Sequence, residues 1–75
     1  LARTIPMDKY IAIVESFLAD SDAYTEPELS SIIDDFMNEY SSPTGKVVSL
    51  LIALNAVKNN DAETVQLYLN KYNSE

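Results

Sequence analysis

From Val47 to Val57 the chain is apolar on nearly every side of a helix. Val47, Leu50, Leu51, Leu54 and Val57 make one face, Val48 and Ile52 project well away from it, and Ser49, Ala53 and Ala56 form a narrow strip of small residues. A helix with apolar residues over most of its circumference has to be surrounded by other elements, because one wet face would leave aliphatic side chains in water. The rest of the sequence must therefore wrap this segment, and the small strip lets a neighbouring backbone come close.

Three other segments have the one-sided pattern that such wrapping needs. Met7, Tyr10, Ile11, Val14, Phe17 and Leu18 recur at steps of three and four, with Pro6 in the opening turn, where its missing N–H costs nothing. Ala19, Asp20, Ser21 and Asp22 end that pattern with side chains that compete for backbone hydrogen bonds. Thr25 followed by Glu28 is a capping box with Pro27 in the first turn, and Tyr24 and Leu29 fit the flanking hydrophobic staple. Leu29, Ile32, Ile33, Phe36, Met37 and Tyr40 then form a continuous stripe opposite Asp34, Asp35, Asn38 and Glu39. Ser42 as N-cap and Pro43 at the first helical position open the central segment, where Gly45 weakens the first turn. Asn60 with Glu63 reads as a second capping box, after which Ala62, Val65, Tyr68, Leu69 and Tyr72 share a side and Leu67 points away.

These patterns predict an all-α domain: a compact bundle of four short helices over about 6–19, 26–40, 43–58 and 61–72, with the third central. With 75 residues there is room for one core. A single glycine does not supply the repeated turns of a β-sandwich. Leu1 at the start, in place of Met, suggests a domain excised from a larger protein.

Composition narrows the chemistry. Cysteine, histidine and tryptophan are absent, which removes thiol and imidazole catalysis and the nitrogen and sulfur metal ligands, so neither an enzyme nor a cofactor is expected. The Gly45-Lys46 pair lacks the earlier glycine and the following Ser or Thr of a phosphate-binding loop; Tyr40 and Val47 stand there instead. Asp20, Asp22 and Glu26 fail as a calcium loop, because Tyr24 and Thr25 occupy the third ligand and glycine places. Asp34 and Asp35 diverge by about 100° on a helix and both face water, which leaves no pocket to separate their acidities. The five tyrosines read as core-edge groups, ring inside and hydroxyl outside.

Charge is distributed unevenly. Residues 1–40 carry nine acids and two bases and residues 41–75 three of each, so the whole net charge of −7 belongs to the first two segments. This repels phosphate backbones and anionic membranes, and no apolar run is long enough to span a bilayer. The expected setting is intracellular, cytoplasmic or nuclear. The expected role is a protein-interaction domain that recruits a basic or amphipathic helical segment of another protein. The candidate contact residues are Glu28, Asp34, Asp35 and Glu39 on the acidic flank, and Ile13, Val48, Ile52 and Leu67 as apolar surface left over from the stripes. Two alternatives stay open: a homodimer or other structural module, and a small acidic inhibitor of the immunity type.

The stretch Ala56 to Leu69, AVKNNDAETVQLYL, resembles the helix-turn-helix of an ankyrin repeat in its Asn-rich turn followed by Glu, Val and paired leucines. It covers about a fifth of the chain, without the Thr-Pro-Leu-His type of opening and without a second copy. The likeness implies a helix hairpin there and assigns no family.

Overall fold

In the computed structural model, which describes residues 7–74, four helices follow one another: α1 Met7–Ala19, α2 Glu26–Glu39, α3 Lys46–Lys58 and α4 Ala62–Ser74. No strand occurs among the described residues, and Pro6, expected in the first turn, lies outside them. The helix most surrounded is α3. It packs most closely on α4 and also meets α1 and α2, while α1 rests on both α3 and α4.

The centre of the core is the face of α3 that the sequence marks. Leu50, Leu54 and Val57 are buried there with Val14, Phe36 and Val65. The small strip is buried as well: Ser49, Ala53 and Ala56 are all enclosed, which allows α3 to lie close against its neighbours. Leu51 is only half-buried, at the rim, and Met37 is exposed, because it lies about 100° round α2 from Phe36 and beyond the reach of α3.

Each connection has a chemical cause. After α1, Asp20 accepts the Asp22 N–H on Oδ1 at 3.0 Å and the Ala23 N–H on its carbonyl at 3.0 Å, so the chain turns instead of continuing the helix. At α2 the capping box forms: the Glu28 N–H donates to Thr25 Oγ1 at 3.4 Å, and Thr25 N–H donates back to Glu28 Oε1 at 2.9 Å.

The start of α3 departs from the sequence reading. The helix begins at Lys46, not Pro43, and its N-cap is Gly45, not Ser42. Gly45 stands at φ 59°, ψ −133°, outside the conformations open to L side chains, so a helix arriving from Pro43 would be broken there. No side chain caps this terminus.

The last connection also differs. Asn60 takes φ 57°, its N–H bonds Val57 O at 3.0 Å, and the Asp61 N–H bonds Ala56 O at 2.9 Å. Those two bonds are a Schellman motif with asparagine in the left-handed position. Asn60 therefore ends α3, and the cap of α4 passes to Asp61, whose Oδ1 accepts the Thr64 N–H at 3.2 Å and whose Oδ2 accepts the Thr64 hydroxyl at 2.7 Å. The expected Asn60–Glu63 pair is displaced by this arrangement one residue later. At the other end, α4 runs to Ser74, two residues past Tyr72.

Candidate interaction surface

Tyr10 near the start of α1 meets Phe36 and Glu39 near the end of α2. The Tyr10 and Phe36 rings sit edge to face, 5.0 Å between centroids at 81°, and the Tyr10 hydroxyl donates to Glu39 Oε2 at 3.3 Å. Above this contact lies an open depression of about 340 Å³ lined by Lys9, Tyr10, Asp35, Asn38 and Glu39. Asp35 and Glu39 stand one turn apart on α2, both exposed. Across from them the Lys9 ammonium lies 5.0 Å from the Tyr10 ring centroid, in range of a cation–π contact.

Burial, above all, pushes the Tyr10 hydroxyl up to about 12, and the carboxylates of Glu39 and Asp35 add to it. The phenol therefore stays protonated at neutral pH and acts as a donor to Glu39. Tyr40 is raised by burial, with Glu39 and Tyr72 contributing. The depression thus presents two exposed carboxylates, an amide and one lysine beside the nearly buried Tyr10.

Of the residues singled out in the sequence, Asp35 and Glu39 line this depression. Asp34 is exposed further round α2 and is not part of the lining. Glu28 shares the flank by spacing, but its carboxylate is engaged in the cap: Oε1 also takes the Thr25 hydroxyl at 2.9 Å, and the Thr25 backbone N–H, then that hydroxyl, holds the acid below its usual range. The apolar candidates do not join the acidic ones there. Ile13 is half-buried and packs against the core, since α1 is covered from both the α3 and α4 sides. Val48 and Ile52 are half-buried on successive turns of α3, and Leu67 stands 60% exposed on α4 opposite Val65 and Leu69.

Sequence reasoning missed Lys9, Tyr10 and Asn38 as members of the site. Lys9 lies one residue before a stripe residue, a position with no signal of its own until the start of α1 is set against the end of α2. Among the described residues no group of three or more acidic, histidine or cysteine side chains is placed to hold a metal ion, and no helix is long and apolar enough to cross a membrane.

Fold and site together define an all-helical four-helix domain with an acidic depression between its first two helices. No protein-family model, no curated protein and no solved structure matches the chain.

Proposed function

We propose that this domain is a non-catalytic adaptor that recruits a basic or amphipathic helical segment of another protein through the acidic flank of α2. The observation that carries the reading is the depression between α1 and α2, where Asp35 and Glu39 are exposed beside the nearly buried Tyr10. A lysine or arginine side chain entering there meets the two carboxylates, and the net charge of −7 steers it during approach. Apolar residues of the incoming segment add contact area on the flanking surface.

Titration of the labelled chain with a helical peptide bearing Lys and Arg on one face and Leu on the other tests this by NMR. The expected shifts centre on Lys9, Asp35, Asn38 and Glu39, weaken as salt rises from about 0.05 to about 0.3 M, and vanish in Asp35→Asn/Glu39→Gln. Shifts confined to residues 41–75, or indifference to salt, refute the proposal. The 60% exposure of Leu67 supports a second reading, self-association through α4, which sedimentation over a range of concentrations separates from the first.

A further inference from the structure

Side-chain caps and a Schellman motif gather at one end of the bundle. At that end lie the Asp20 turn, the Thr25–Glu28 box, the Asn60 Schellman motif and the Asp61–Thr64 cap, all of them local hydrogen-bonded devices. At the other end the first turns of α1 and α3 meet the last turns of α2 and α4. There α3 starts on Gly45 without a side-chain cap, and its first turn carries Lys46 and no acid, a poor match to the positive end of the helix dipole.

Tertiary side-chain contacts also hold this end, and Tyr72 makes two of them. Only 6% exposed, it donates its hydroxyl to Met7 Sδ at 3.5 Å, and the Lys46 ammonium lies 4.6 Å from its ring centroid. One residue of α4 therefore ties down the starts of both α1 and α3. The weak partner in this tie is a thioether sulfur, a poor acceptor and an oxidisable one.

We propose that Met7 is a site of oxidation by hydroperoxides, and that its sulfoxide breaks the present Tyr72 contact and opens the end of the bundle where α3 starts, while the other end stays closed. The sulfur lone pair attacks the outer oxygen of the peroxide, the O–O bond breaks as the S–O bond forms, and the proton passes to the departing oxygen. Sulfur loses two electrons and the peroxide becomes water or an alcohol. Met7 is half-buried, and its side chain packs against the core. The added oxygen enlarges and polarises the group on which Tyr72 and the core now pack, and although it is a stronger acceptor than sulfur, it displaces the present contact and that packing. Met37, 39% exposed on α2 and outside the core, is the internal control.

The experiment treats the whole chain with hydrogen peroxide, locates sulfoxides by peptide mass and follows amide hydrogen exchange. In Met37→Leu, oxidation of Met7 is expected to speed exchange about tenfold over residues 40–48 and 66–74, with 24–31 and 55–65 unchanged. Reduction by methionine sulfoxide reductases restores the slow rates. Met7→Leu carrying a Met37 sulfoxide exchanges as untreated Met7→Leu does, and Met7→Gln reproduces the open end without oxidant. A Met7 that stays reduced while the urea-unfolded chain is oxidised overturns the proposal. So does a Met7 sulfoxide with unchanged exchange, or one that speeds both ends alike.

Discussion

Phe36 is the residue whose loss the structure makes most severe. It is fully buried, and its ring contacts two others, Tyr10 edge-on at 5.0 Å and Tyr40 tilted at 4.9 Å. Phe36→Ala removes the whole ring from a site closed on all sides, a change that costs about 3 to 5 kcal/mol. At about 0.05–0.15 kcal/mol per residue a domain of this length has about 4 to 11 kcal/mol in all, so the variant stands near the edge of folding. Phe36→Leu keeps most of the volume and forfeits the two ring contacts, each about 0.5 to 1.5 kcal/mol, giving a loss of about 1 to 3 kcal/mol. Urea unfolding followed by circular dichroism measures both, with an unchanged slope as the sign that only stability moved. Leu51→Ala, at a half-buried rim position, should lose less than Leu50→Ala or Leu54→Ala. A cost below about half a kcal/mol for Phe36→Ala, or equal costs for its Leu and Ala replacements, refutes the assignment of this ring to the centre of the core.

At alkaline pH the unfolded chain releases the Tyr10 proton near the ordinary value of 10.0, while the folded one holds it to about 12. Stability therefore falls as pH rises between those values, by at most about 3 kcal/mol for this group, and Tyr10→Phe flattens that part of a urea-midpoint profile; a variant with the same alkaline slope refutes the assignment. Both positive-φ residues should resist an added or branched Cβ: Gly45→Ala is expected to cost about 1 to 3 kcal/mol although no atom lies within 4 Å of the new methyl group, and Asn60→Val should be clearly worse than Asn60→Gly. Thermal melts of the three variants check this, and a silent Gly45→Ala would refute the backbone geometry given for the start of α3.

The four helices were legible because the apolar period of three and four is sustained in every segment, and the centrality of α3 followed from its having no wet face. Their edges were legible only where one local interaction decides them. Thr25 and Glu28 have no competitor, so the start of α2 is where the sequence puts it. Ser42 and Pro43 are equally good openers on paper, but the helix cannot form across Gly45 once that residue adopts positive φ, and nothing in the sequence reports a dihedral angle. At α4, Asn60–Glu63 and Asp61–Thr64 have the same spacing. The choice falls to Asp61 because Asn60 is already held in the left-handed position that closes α3.

The candidate site is legible to a different degree, because it belongs to two helices at once. Spacing along α2 places Asp35 and Glu39 on one flank, and that requires only the helical repeat. Which residues face them depends on how α1 is registered against α2, fixed here by the Tyr10 ring on Phe36 and its hydroxyl on Glu39. Ile13 illustrates the same limit from the apolar side: at the edge of its stripe it looks like surplus surface, yet α1 packs on both α3 and α4, and the wider buried arc takes it in. The closest packing lies in the α3–α4 pair, while the acidic surface lies on α1 and α2. Substitution at Asp35 therefore changes the surface charge without opening a cavity in the core, whereas Glu39 also accepts the Tyr10 hydroxyl, so Asp35 is the position at which the proposed recognition and folding are tested independently.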